Sequence, residues 1–237
     1  NRVKAAPLYV TMEHLEDGVA RAIVANAGNA NACAPDGMEN ARRMAKAAAQ
    51  LLGVAETDVA VASTGVIGQR LNIECIEKHL PELKLEDNAS EKANRAIMTT
   101  DTVPKSVALQ LEIGGKTVTI GAMTKGAGMI DPAMTVPHAT MLCYITTDVK
   151  ADNALLRDMI GANVADSFNR ITVDGDMSTN DTTIVMANGL SGVELKAGTP
   201  EAALFQEALL TVMQDLARRM VMDGEGATKF VTVKVVH

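Results

Sequence analysis

Two runs of alternating apolar residues, SVALQLEI and KTVTIGAM, meet at Gly114-Gly115. Successive side chains of a strand point to opposite faces, so each run reads as a strand with one buried face. A two-glycine link supplies the positive φ angles of a tight turn, which makes the pair an antiparallel hairpin. Elsewhere the chain alternates helical and strand-like patterns, which by themselves would suggest simple βαβ winding. The hairpin argues against that and predicts an α+β fold, a layered αββα arrangement with mixed sheets.

The remaining elements follow from period and punctuation. PLYVTM (7–12) reads as a short strand, and RAIVANAGNANAC as a buried strand running into a Gly/Asn-rich loop. From Gly37 to Leu52 the apolar positions Met38, Ala41, Met44, Ala45, Ala48, Leu51 and Leu52 recur at helical spacing, with Gly53 as the stop. VAVAST is a strand leading into the turn TGVIG. Helices are predicted over 72–80, ending before Pro81, and over 89–98. MLCYITTD (141–148) is a strand, and 151–168 a helix with Leu155, Leu156, Met159, Ile160 and Val164 inside. ITVDGD and TTIVMANG read as strands and GVELKAG as a loop or strand. Residues 199–222 form the longest helix, with Thr199 as N-cap and Pro200 at its first position. DGEGA breaks it, and TKFVTVKVV is the last strand. The whole is read as one domain over residues 1–237.

Composition narrows the function. Of 237 residues 47% are hydrophobic, yet there is no Trp, with only two Tyr and three Phe. Aliphatic residues and 14 Met must therefore fill the core. A net charge of −7 argues against a nucleic-acid surface, which needs clustered Lys and Arg. No apolar run has the length of a membrane span, and no charged-then-apolar leader is seen. Three scattered cysteines without a CxxC predict a reduced compartment, the cytoplasm. The opening NRVKAAPLYV and the closing KFVTVKVVH, a strand pattern with no turn after it, suggest a piece of something longer or a product of processing.

The stretch with most chemical content is KGAGMIDPAMTVPHATMLCYITTD (125–148), where a glycine- and proline-bearing loop meets a buried strand at Ala139-Thr140. A threonine hydroxyl is a weak nucleophile without a base, and at a chain N-terminus its own α-amine serves as one. That amine titrates at about 7.7–8.0. An internal Thr140 reaches this state only if its hydroxyl attacks the Ala139 carbonyl and water hydrolyses the resulting ester. Small Ala139, stiff Pro137, and Gly126 and Gly128, which allow positive φ and close backbone approach, suit such a cut. The bland alternative is a β-branched residue opening a strand.

Other stretches are weaker. STGVIG (63–68) follows a strand and can aim successive N–H groups at one point, as an oxyanion hole does. DGDMSTND (174–181) has Thr179 and Val185 where an EF-hand needs Gly and Glu, so it reads as a turn closed by its own side chains. Glu225, between two glycines, is either solvated or a receiver for a substrate ammonium. His14, His79, His138 and His237 have no metal-ligand spacing; His138 reads as a loop residue before Thr140. Cys33 and Cys143 lack a neighbouring His–Asp arrangement, and Cys143 reads as a buried inert thiol.

NAGNANAC (26–33), STGVIG, MTTDTVPK (98–105), KGAGMIDP…ATML (125–142), SFNRITVDGDMSTNDT (167–182) and DGEGATKF (223–230) occur in one order. Together they resemble the ornithine acetyltransferase family, the bifunctional glutamate N-acetyltransferase/ornithine acetyltransferase of arginine biosynthesis. The resemblance implies a layered α/β/β/α fold like that of N-terminal-nucleophile hydrolases. It implies self-cleavage between Ala139 and Thr140, with Thr140 as acetyl acceptor and its α-amine as base. Thr64 and Gly65 correspond to the oxyanion pair, and Thr99, Lys125, Thr140 and Glu225 to substrate-binding residues. The implied reaction is ping-pong transfer of acetyl from N-acetylornithine to glutamate, with no metal or organic cofactor. Acetyl-CoA is a further donor in some members. The two chains made by the cut would assemble as α2β2.

This sequence departs from the family pattern in three respects. The cut region reads MTVPHATML, four residues longer than the family's MATML, and the family's first strands and large C-terminal portion, with an Asn and a Thr that contact substrate, are missing. Two other readings therefore stand beside the transferase: an amide hydrolase using the same Thr, and a truncated, non-catalytic copy.

Overall fold

The computed structural model describes residues 3–134 and 141–236. Its strands form two sheets. One is a parallel pair, β1 (Ala22–Asn29) and β2 (Val59–Val66). The other has four strands in sequence order: β3 (Lys105–Ile113), β4 (Lys116–Lys125), β5 (Leu142–Thr147) and β6 (Thr182–Ala187). The expected hairpin is β3–β4, with Ile113 opposite Lys116 across the two glycines. β4–β5 is also antiparallel and β5–β6 parallel, so the sheet is mixed.

Strand alternation decides the layering. On β2, Val59 and Val61 pack under α1 (Ala6–His14), α2 (Gly37–Leu52) and α3 (Ile73–His79). The intervening Ala60 and Ala62 face Leu142 and Tyr144 of β5 and Ile184 of β6, with Ile97 beside them, just past α4 (Ser90–Ala96). The other face of β5, Cys143 and Ile145, packs with Val118 and Ile120 of β4 beneath α5 (Asn153–Ala165) and α6 (Pro200–Met222). The order is thus helices, two-stranded sheet, four-stranded sheet, helices, as the hairpin and the resemblance led one to expect. Small residues on one sheet and large ones on the other let the two approach closely.

α6 is placed by its own sequence. Thr199 Oγ1 accepts the Ala202 N–H at 3.3 Å, Pro200 follows where no N–H is needed, and Phe205, Leu209, Val212, Met213, Leu216 and Met220 line the buried stripe. Thr199→Ala is expected to cost about 1 kcal/mol, measured by urea unfolding. On α2 the buried face is Ala41, Met44, Ala45, Ala48 and Ala49, whereas Met38 and Leu51, counted with the apolar positions, lie exposed at the helix ends.

Three expected strands are absent. PLYVTM lies within helix α1, with Pro7 in its first turn. The segment nevertheless covers the edge of β2: Thr11 Oγ1 donates to Val61 O and accepts from Val61 N, both at 2.7 Å, and His14 Nδ1 lies 2.8 Å from Val59 O. Side chains on a helix thus do for β2 what a neighbouring strand would do. ITVDGD is a turn-rich loop, because the Asp174 carboxylate takes the N–H groups of Met129 and Ile130 and leaves Val173 N→Ile130 O as the backbone link. TKFVTVKVV finds no strand partner among the described residues, and Val233 and Val235 are more than 80% exposed. No described helix is long and apolar enough to cross a membrane.

Candidate active site

The end of β2 carries Thr64 and Gly65, opposite Ala27 and Gly28 of β1. Gly65 has φ +130°, and a Cβ there would lie 2.3 Å from Gly28 C and 2.6 Å from Asn29 N. Only glycine lets the two backbones come this close. The loops around them are pinned by Asn180, whose Nδ2 donates to Ala30 O at 2.5 Å and Ser63 O at 2.8 Å. Ser63 Oγ in turn donates to Asn26 Oδ1 at 2.6 Å.

Lys125, the last residue of β4, reaches across from the second sheet. Its Nζ donates to Thr64 Oγ1 at 3.2 Å and to Thr99 Oγ1 at 2.8 Å, and lies 4.0 Å from Asp101 Oδ2. Burial pushes its pKa below the ordinary lysine value; Asp101 opposes that fall, Lys105 adds to it, and Asp181 and Glu225 oppose it. Lys125 is also the register partner of Leu142, two residues along the chain from Thr140. Thr140 and Ala139 themselves lie outside the described residues, as do His138 and His237.

Glu225 follows α6 and is held by its own N–H on Ala127 O at 2.8 Å. It is exposed, as one of the two sequence readings required, and its carboxylate lies over Gly128, where a Cβ would meet Glu225 Oε1 at 2.4 Å. Gly128 therefore serves the close approach expected of it, while the positive φ of this loop belongs to Gly126 and Met129.

Beneath these residues lies a buried charge network that the motif reading passed over. Asp101 Oδ1 accepts from Lys105 Nζ at 2.6 Å and from Gly126 N at 2.7 Å, and Oδ2 accepts from Thr99 N at 3.2 Å. Lys105 Nζ also reaches the Asp223 carboxylate, which binds the N–H and hydroxyl of Thr102. Burial works to raise the pKa of both aspartates, but the Lys105 ammonium, with Gly126 N–H for Asp101 and Thr102 for Asp223, outweighs it and holds both below the ordinary aspartate value. A signal was available. Lys105 stands in phase with Val107, Leu109, Leu111 and Ile113 on the inward face of β3, and an inward lysine needs a carboxylate partner. Asn180 lay in a stretch whose own residues read as a self-closing turn. That turn exists, with Asp176 N on Asp174 Oδ1 and Asn180 N on Ser178 Oγ.

Cys143 is fully buried, and desolvation pushes its thiol far above the usual range, whereas Cys33 and Cys75 are exposed. Among the described residues no cluster of three His, Cys, Asp or Glu side chains could hold a metal.

A sequence profile described as the ArgJ family matches residues 1–237. The chain belongs to the ArgJ family. It is 48% identical to a glutamate N-acetyltransferase of Methanocaldococcus jannaschii, over 99% of this chain and 58% of the relative. It is also 48% identical to an arginine biosynthesis bifunctional protein ArgJ of Symbiobacterium thermophilum, again over 99% of the chain and 58% of the relative. The chain thus spans about three fifths of the curated relatives it matches. Among solved structures it is similar to the bifunctional ArgJ protein of Bacillus halodurans, with TM-score 0.54 and 40% identity over 60% of this chain and 73% of the other. It is likewise similar to an ornithine acetyltransferase of Mycobacterium tuberculosis complexed with ornithine, with TM-score 0.51 and 38% identity over 56% and 72%.

Proposed function

We propose that this chain forms the core of an N-terminal-threonine acyltransferase of arginine biosynthesis, which cuts itself between Ala139 and Thr140 and moves acetyl from N-acetylornithine to glutamate. The observation that carries the reading is the Lys125 ammonium held between Thr64 and Thr99, at the end of a strand whose register partner is Leu142. Three of the family's functional residues, far apart in sequence, meet at one buried cation beside the strand that Thr140 precedes.

In the first step the Thr140 hydroxyl attacks the Ala139 carbonyl. The peptide C–N bond breaks, an ester forms, and water releases Ala139 as a carboxylate. The freed α-amine then takes the hydroxyl proton as Oγ1 attacks the acetyl carbonyl of N-acetylornithine. Because Lys125 occupies a lone pair on Thr64 Oγ1, the Thr64 hydroxyl hydrogen is directed elsewhere and can donate to the developing oxyanion, beside Gly65. Ornithine leaves with the proton, and the glutamate amine takes the acetyl group. Lys125 and Glu225 complement the carboxylate and ammonium groups of such substrates. The protein is assigned to the cytoplasm, acting as α2β2 after the cut, with acetyl-CoA as a further candidate donor.

Intact mass and N-terminal sequencing of the wild type beside Thr140→Ala test the reading. The expected result is two wild-type fragments, one beginning Thr-Met-Leu-Cys, and a whole variant that transfers no acetyl. A single uncut chain in both would overturn it and leave the non-catalytic copy. Cleavage with acetate released to water and none passed to glutamate would favour the hydrolase.

A further inference from the structure

We propose that Asp101 is a positioning residue whose carboxylate, clamped by Lys105 and by the Gly126 N–H, fixes where the Lys125 ammonium points. The role assigned to Lys125 rests on the acyltransferase reading above; the geometry stands apart from it. Asp101 holds both sides of the Lys125–Thr99 contact. One oxygen takes the N–H of Gly126, the residue after Lys125, and the other takes the N–H of Thr99. Its side chain is fully buried and so is that of Lys105, so neither end of the clamp can swing into solvent. The same ammonium binds Asp223, two residues before Glu225. Thr99, Lys125 and Glu225 thus each lie within two residues of one network, which ties together three segments from distant parts of the chain.

The charges facing Lys125 are Asp101, Asp181 and Glu225, which favour its ammonium form, and Lys105, which opposes it. Asp101 stands first among those that favour it. Removing its charge while keeping its shape should therefore let Lys125 lose its proton at lower pH. Asp101→Asn is the variant. The primary readout is the pH dependence of Lys125 modification by trace acetic anhydride, followed by mass spectrometry from neutral to alkaline pH, which needs no turnover. The midpoint is expected to fall by about one unit. The alkaline limb of transfer activity should move with it, and KM for the amino-acid substrates should rise more than kcat falls. Thr199→Ala, which loosens α6 at its far end, should leave the midpoint in place, separating positioning from general destabilisation. If Asp101→Asn does not fold, the double variant Asp101→Asn/Lys105→Met removes one charge of each sign, and the midpoint should fall by a smaller amount. A midpoint unchanged in a folded variant overturns the proposal. A midpoint that falls in a protein that never transfers acetyl overturns the acyltransferase reading and leaves the positioning role standing.

Discussion

Lys105→Met is expected to lower the unfolding free energy at neutral pH by about 3–5 kcal/mol, the range for breaking a buried ion pair from one side. Lys105 Nζ is the shared partner of Asp101 and Asp223, and all three side chains are nearly or fully buried. Methionine fills the volume but leaves Asp223 without its cation and Asp101 with Lys125 alone, 4.0 Å away. The pH dependence has a definite sign. In the wild type both aspartates have folded pKa values below the ordinary aspartate value, so their stabilisation is fully present above the unfolded pKa and is lost as the pH falls through the depressed ones. In the variant the aspartates lose the ammonium that offsets their burial, so their pKa values rise from the wild-type ones and acid relieves the strain. The gap between wild type and variant should be widest near neutrality and shrink below about pH 4, as read by urea unfolding at several pH values.

Gly65→Ala is expected to be as damaging. An added Cβ would meet the backbone of Gly28 and Asn29, which cannot swing aside as a side chain end can. The backbone angle also strains any L-residue. The β1–β2 ladder must open to make room, at a cost of about 3 kcal/mol or more. On the acyltransferase reading the displaced turn also carries the oxyanion donors, and a shift of about 1 Å there costs about 100-fold in rate. Unfolding and transfer assays on the same sample would show both losses; normal stability with normal transfer would mean that the ladder tolerates the methyl group.

The elements legible in the sequence were those with their own punctuation. α2 runs from Gly37 to Leu52 as its spacing and Gly53 required, α6 begins at Pro200 after its Thr199 cap, and β3 and β4 turn at the two glycines. α1 was misread because Leu8, Tyr9, Val10 and Thr11 suit a strand. What overrides that preference is tertiary: Val10 is buried with α2 and β2, and Thr11 satisfies the β2 edge. The candidate site was legible to the extent that motifs named it. Thr64, Thr99 and Lys125 do converge, while Asp101, Lys105 and Asp223 beneath them lie inside MTTDTVPK and DGEGATKF with no role read from them. Asp101 and Lys105 become informative only when the phase of β3 is followed back to its first residue.

Thr64 and Gly65 belong to the two-stranded sheet, while Lys125 and Leu142 belong to the four-stranded one. Among the described residues the sheets meet through side chains, such as Ala60 and Ala62 against Leu142 and Tyr144, with Lys125 on Thr64 and Asn180 on Ser63 O as polar ties. Among the described residues no backbone ladder joins the sheets there, so the alignment of the two halves of the site is set by side chains rather than by backbone register. A slide of one sheet over the other by an ångström would leave every strand pair intact and pull Lys125 away from Thr64. Heat or a cavity in that layer should therefore part Lys125 from Thr64 before it unfolds the protein.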